Sequence, residues 1–136
     1  MYPLLSGLPE YVGDAESLAR FLPQSNLFNT FGAKPAAFLP NPKYRNTSVF
    51  RLGNDPDCLR KTWSENDKSG RLVKGAAICK AKEVRAGRLD VIAEEPPPAH
   101  ANIEGWPWME NDPELQKAQQ LELAGQLAEV SKFVRL

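Results

Sequence analysis

The fold class follows from the stretch TSVFRLG at residues 47–53, which is the clearest strand in the chain. Its threonine, valine and phenylalanine favour strands, and the glycine closes the run. Strand alternation divides the side chains between two faces, with Thr47, Val49 and Arg51 on one and Ser48, Phe50 and Leu52 on the other. A predicted strand therefore carries an arginine.

Further strands are predicted at residues 72–79, 89–93 and 99–103, with a short one at 36–39. Gly75 lies inside the first of them, which indicates a bulge or a close backbone approach. Three consecutive prolines precede residues 99–103, so we expect the chain to return there as a short edge strand.

Asp112 and Pro113 begin the longest predicted helix, at residues 112–133, because aspartate caps a helix and proline fits its first turn. The apolar residues of this helix form a wide stripe. We therefore expect it to be the main core-forming helix, with Leu121 and Leu127 buried.

Shorter helices are predicted at residues 14–22, 55–65 and 81–86. Helices and strands mix irregularly rather than alternating as βαβ units, and 136 residues suit one domain. We predict a single α+β domain over residues 1–136, with an irregular segment at 1–13. Its small, mostly antiparallel sheet packs against the long C-terminal helix and one or two shorter helices.

Residue counts exclude several kinds of site. One histidine, His100, cannot build a histidine-rich metal site, and no Cys-x-x-Cys occurs. The glycine-rich nucleotide motifs and the Gly-x-Ser-x-Gly of hydrolases do not occur either. We expect no metal and no cofactor, and we expect Cys58 and Cys79 to be reduced, buried thiols.

The net charge is zero, but the charges are unevenly spread. Residues 36–90 hold 12 basic and 6 acidic side chains, whereas residues 91–136 hold 3 basic and 8 acidic ones. The basic region at 43–88 could attract nucleic acid, or the two regions could neutralise each other within one fold. No apolar run is long enough to cross a bilayer and no secretory signal is visible, so we predict a cytoplasmic location and no membrane partner.

His100, Asn102 and Glu104 occupy alternate positions, so all three share one face of a predicted strand. His100 could act as a general acid or base, with Glu104 orienting it. Alternatively, His100 bonds a backbone carbonyl after the prolines. No serine or cysteine nucleophile lies nearby in the sequence, so the histidine alone is weak evidence for an enzyme. If the protein is an enzyme, we expect His100 to lie in a concave pocket.

Trp106 and Trp108 flank a proline within an acidic stretch. Alternate tryptophans could stack a base or anchor a protein partner. The acidic neighbours favour the protein, because they repel phosphates. Alternatively, one tryptophan belongs to the core and the other covers the final helix.

Arg51 is a third candidate, because a strand arginine can clamp a phosphate or carboxylate with two hydrogen bonds. It could equally pair with Glu94 or Glu104. If Arg51 shares a site with His100 and Asn102, the three would present a guanidinium, an imidazole and an amide to one anionic group.

The chain also resembles a family of small bacterial proteins, over roughly residues 17–125. The resemblance is carried by KPAAF at 34–38, TSVFR at 47–51, VRA at 84–86 with LDV at 89–91, and HANIEGWP at 100–107. That family has no established activity, so the resemblance implies no catalytic residue. It implies only that Arg51 and the segment 100–107 act as a unit.

These features favour a non-catalytic, cytoplasmic interaction or accessory protein of a bacterium or mobile element that binds a protein partner. The first alternative is a small enzyme or anionic-ligand binder that uses Arg51, His100 and Asn102. The second is a nucleic-acid binder that uses residues 43–88. The wide apolar stripe of the last helix could also serve a homodimer.

Overall fold

The computed structural model describes residues 4–53, 59, 61–62 and 73–136. The predicted helix at residues 55–65 lies largely outside the described residues. Cys58 and the first residue of the strand predicted at 72–79 also lie outside them.

The described residues contain eight strands: β1 (Ser17–Leu22), β2 (Phe28–Asn29), β3 (Gly32–Ala33), β4 (Thr47–Gly53), β5 (Gly75–Lys80), β6 (Asp90–Ala93), β7 (His100–Glu104) and β8 (Lys132–Arg135). Six of them form one sheet in the order β6-β7-β4-β1-β5-β8, with every neighbouring pair antiparallel. β2 and β3 form a separate hairpin. The strand predicted at 99–103 is therefore confirmed as β7, but it lies inside the sheet and not at its edge.

Two α-helices have both ends within the described residues: α1 (Ala81–Ala86) and α2 (Pro113–Val130). The Asp112 side chain caps α2 by accepting a hydrogen bond from the Leu115 backbone N–H at 3.1 Å. With the antiparallel sheet, this long helix confirms the α+β fold class. α2 ends three residues earlier than predicted, because the chain after it adds β8 to the sheet.

The helix predicted at residues 14–22 is wrong, because this segment forms β1 in the middle of the sheet. Leu18 and Leu22 pack on one side of the strand, while Ala19 and Phe21 pack on the other. A strand buried on both faces shows no apolar alternation, so its spacing resembles that of a helix. The short strand predicted at 36–39 is also wrong, since Pro35–Ala37 is a turn of 3₁₀ helix.

The two faces of the sheet carry separate apolar clusters. On the first, which we call the helix face, Leu18, Val49 and Ile103 pack with Ala124 and Leu127 of α2. The opposite face carries a second cluster: Ala19, Phe21, Leu52, Leu59 and Ala76. The helix face therefore holds the main core.

Only one of the two leucines predicted to be buried in α2 is buried. Leu127 is 3% exposed, whereas Leu121 is 39% exposed, so the prediction for Leu121 is wrong. The inward side of α2 runs through Gln120, Ala124 and Leu127. Leu121 lies about 100° around the helix from Gln120, which turns it toward solvent.

Another part of the chain lies close to the backbone of Gly75 in β5, as predicted. A Cβ at this position would lie 2.6 Å from the Phe133 ring of β8. The Phe133 ring in turn stacks on Phe28, with 4.7 Å between the ring centroids. The missing side chain of Gly75 therefore makes room for the aromatic ring that anchors the last strand.

Candidate functional site

A cavity of about 590 Å³, which we call the His100 cleft, lies beside the first half of β4. β7 pairs with β4 from Thr47 to Phe50, whereas β1 pairs with β4 only as far as Ala19. The lining includes eight polar side chains: Arg20, Asn41, Tyr44, Asn46, Ser48, Glu94, His100 and Asn102. His100 thus lies in a concave pocket.

The turn at residues 41–46 forms one wall of the His100 cleft. The Asn41 side-chain oxygen accepts hydrogen bonds from the backbone N–H groups of Lys43 at 2.8 Å and Tyr44 at 3.2 Å. The Asn41 backbone N–H donates to the Asn46 carbonyl at 2.8 Å. Asparagine holds such turns through these local bonds, which fixes the wall next to Ser48.

Both ring nitrogens of His100 have partners. Nδ1 lies 2.8 Å from the Glu94 carbonyl oxygen, and Nε2 lies 2.6 Å from the Ser48 Oγ. A carbonyl only accepts, so in the neutral ring Nδ1 carries the proton and Nε2 accepts from the Ser48 hydroxyl. The predicted bond from His100 to a backbone carbonyl is present, and Ser48 is a partner that the sequence did not reveal.

Asn102 lies on the same side of β7 as His100, opposite Ser48 on β4. Its amide nitrogen donates to the Glu94 carboxylate at 2.6 Å. Glu104, by contrast, lies opposite Asp90 at the far end of β7 and does not line the His100 cleft. Glu104 is therefore not placed to orient His100, and the Glu94 carbonyl takes that position.

Arg51 lies on the helix face, away from His100. It is 1% exposed, and its guanidinium binds Glu16 through Nε at 2.7 Å and Nη2 at 2.9 Å. The prediction that Glu94 or Glu104 pairs with Arg51 is wrong, because Glu16 is the partner. Phe50 lies opposite His100, so these two side chains are on the same face of the sheet. Arg51 follows Phe50 in β4 and points to the other face, so Arg51 and His100 do not share a pocket.

Arg20 supplies the guanidinium that lines the His100 cleft. Its Nε donates to the Ala37 carbonyl and its Nη1 donates to the Ser48 carbonyl, each at 2.8 Å. No carboxylate of the described residues pairs with it, and none of their atoms accepts from Nη2. Burial lowers the pKa of Arg20 below its ordinary value. Sequence analysis did not single out Arg20, because residues 14–22 were predicted to form a helix. With the segment as a strand, an arginine between the apolar neighbours Ala19 and Phe21 would have been a candidate site residue.

The two tryptophans have different surroundings. Trp106 is 6% exposed and donates its indole N–H to the Ile103 carbonyl at 3.2 Å, so it belongs to the core. Trp108 is half-buried beneath the Arg45 guanidinium, which lies 4.8 Å from its ring centroid. Contact between Trp108 and a protein partner stays a prediction.

Cys79 carries a free, buried thiol, and burial raises its pKa to about 12. In the described parts of the chain, no three histidine, cysteine, aspartate or glutamate side chains cluster to bind a metal. None of the helices described there has the length and apolar character to cross a bilayer.

No family model, curated protein or solved structure matches this chain. The resemblance over roughly residues 17–125 therefore stays a prediction.

Proposed function

We propose that this protein binds a small molecule bearing one carboxylate or phosphate group in the His100 cleft. The sequence predicted an anion site formed by Arg51, His100 and Asn102. The proposal keeps His100 and Asn102 as binding residues, but Arg20 supplies the guanidinium instead of Arg51. Ser48 and Asn46 add neutral hydrogen-bonding groups to the same lining.

The observation that carries the proposal is the state of the Arg20 guanidinium. The fully buried Arg51 is paired with the Glu16 carboxylate. Arg20 is only partly buried, is held by two neutral carbonyls, and keeps Nη2 without an acceptor among the described residues while its side chain lines the cleft. An anionic oxygen in the cleft would supply the missing counter-charge through a charge-assisted hydrogen bond.

Glu94 limits the kind of anion that fits. Its carboxylate also lines the His100 cleft, with one oxygen bound by Asn102. A polyanion would be repelled by Glu94, whereas a single anionic group can approach Arg20 and leave Glu94 to solvent. This favours a small ligand over a nucleic-acid backbone.

Titration of the isotope-labelled protein with inorganic phosphate, and separately with acetate, tests the proposal at constant ionic strength. Nuclear magnetic resonance should show saturable shifts in the backbone amide signals of Ser48, His100 and Asn102 for at least one of the two anions. Arg20→Met should weaken that binding at least about tenfold, because a hydrogen bond to a charged group contributes about 1.5–3 kcal/mol.

The matched control is Lys82→Met, which removes the same charge at an exposed position of α1 outside the cleft. It should bind both anions as the wild type does. Shifts that never saturate, or equal affinities in the Arg20→Met and wild-type proteins, would contradict the proposal.

Binding of a protein partner is the second candidate function, and Phe31 favours it. This residue lies between β2 and β3 and is 96% exposed, while Phe28 and Phe38 of the same apolar segment are buried. A fully exposed phenylalanine on a hairpin suits an anchor for another protein. Nucleic-acid binding through residues 43–88 stays a prediction, since much of that region lies outside the described residues.

A further inference from the structure

The contact between Ser48 and His100 is that of an activated nucleophile. In the neutral ring the Glu94 carbonyl holds the proton on Nδ1, so the lone pair of Nε2 points to the Ser48 hydroxyl at 2.6 Å. This is the tautomer in which a histidine can remove the serine proton. A backbone carbonyl occupies the orienting position that a carboxylate has in a Ser-His-Asp triad.

Two contacts hold the His100 ring, and a third holds its backbone. Its own backbone carbonyl accepts from the Glu94 N–H at 3.0 Å, while Nδ1 returns a bond to the Glu94 carbonyl. The Phe50 ring meets the imidazole edge to face, with 5.5 Å between centroids. A base held this firmly needs little reorganisation to accept a proton.

A positive group lies next to the same serine. Arg20 Nη1 donates to the Ser48 carbonyl, so the guanidinium lies beside the Ser48 backbone. Its Nη2 has no acceptor among the described residues, and the side chain lines the cleft. A donor of this kind stabilises the oxyanion that forms when a serine attacks a carbonyl carbon.

We infer that Ser48 is a nucleophile that hydrolyses small carboxylic esters, with His100 as the general base and acid and Arg20 as the oxyanion donor. The inference rests on the proposed function, because the ester occupies the same cleft. The carboxylate product is also the kind of anion that we propose for the site beside Arg20.

The steps balance without any other co-reactant. Ser48 Oγ bonds to the ester carbonyl carbon while its proton passes to His100 Nε2, and the carbonyl oxygen becomes an oxyanion beside Arg20. The oxyanion collapses, the bond to the alcohol oxygen breaks, and the alcohol leaves with the proton from Nε2. Water then adds to the acyl-serine and gives a proton to Nε2, and Ser48 Oγ leaves and regains it. One ester and one water yield one carboxylic acid and one alcohol.

An alkyl fluorophosphonate tests the nucleophile on the full chain, because a serine activated by histidine displaces its fluoride. We expect one adduct, mapped by peptide mass spectrometry to Ser48. His100→Gln should slow the labelling at least about a hundredfold, as expected for loss of a general base. Ser25→Ala, at an exposed serine, is the matched control and should label as the wild type does.

The site of labelling in the wild-type protein decides the inference, whether or not Ser48→Ala folds. An adduct at Ser48 that depends on His100 supports it, whereas no adduct, or adducts only on other residues, overturns it. If Ser48 stays unlabelled while phosphate or acetate still shifts the cleft signals, the ligand site stands and the nucleophile does not. If Ser48 is labelled but neither anion binds, Ser48 is a nucleophile and the proposed anion site is wrong.

Discussion

Arg20 and Arg51 lie on neighbouring strands of one sheet but have opposite surroundings. Arg51 is enclosed on the helix face, where Glu16 binds it with two hydrogen bonds. Arg20 lines the His100 cleft and, within the described part of the chain, is bound only by neutral carbonyls. The difference teaches that a strand arginine is paired within the fold when a carboxylate of the chain reaches it, and keeps a donor open to its surroundings when none does.

The largest expected effect separates the two arginines by stability. Arg51→Met should lower the free energy of unfolding by about 3–5 kcal/mol, because it leaves the Glu16 carboxylate buried without its partner. Urea denaturation measures this change. Arg20→Met leaves no carboxylate of the described residues unpaired, so its loss of stability should be clearly smaller.

A double variant serves as the control. In Glu16→Leu/Arg51→Met both charges are replaced by apolar side chains, and most of the lost stability should return. If Arg51→Met alone were as stable as the wild type, the ion pair would not stabilise the fold and the comparison would fail.

The next effect concerns the helix face, where Arg51 lies. Leu127→Ala should cost about 2–5 kcal/mol, because it opens a cavity in the main core. Leu121→Ala, which truncates an exposed leucine of the same helix, should change stability by about 0.5 kcal/mol or less. Urea denaturation of both variants measures the difference, and equal losses would mean that α2 packs in another orientation.

The smallest effect extends the comparison to Glu95, a carboxylate that is bound, among the described residues, only by neutral donors. Burial raises the pKa of Glu95, but hydrogen bonds from the Ser6 hydroxyl and backbone and from the Ala99 backbone outweigh burial and lower it. A group with a lowered folded-state pKa stabilises the fold fully above its unfolded pKa of about 4.3 and loses that effect as the pH falls through the folded-state pKa.

Glu95→Gln should therefore be less stable than the wild type at pH 7, and the gap should close in acid. Urea denaturation across the pH range from neutral to about 3 measures the gap. A gap that stays constant with pH would show that the ionised carboxylate is not what Ser6 and Ala99 stabilise.

The sequence predicts those parts of the fold that depend on local signals. The Asp112–Pro113 cap and the β-rich stretch at 47–53 show their structure in adjacent residues, and both are confirmed. β1 could not be predicted, because its partners β4 and β5 lie about 30 to 60 residues further along the chain and both of its faces are buried. Tertiary pairing overrides the local spacing there.

The candidate site shows the same division. The shared face of His100 and Asn102 follows from strand alternation alone. Ser48 meets His100 through the pairing of β4 with β7, and Arg20 enters the same cleft where β4 separates from β1. No local pattern encodes either arrangement. Sequence analysis instead singled out Arg51, because it lies in the clearest predicted strand. The sequence does not indicate which acidic side chain will pair with that arginine.

The contact between Gly75 and Phe133 also determines how far β8 can slide along β5. A strand that slips by two residues keeps the same side chains on the same face, so apolar patterning alone does not prevent the slip. After such a slip, however, the Phe133 ring would no longer lie over the one residue of β5 that lacks a Cβ. The register of β8 against β5 is thus fixed by the space above Gly75, which a Cβ atom would fill at any other position of β5.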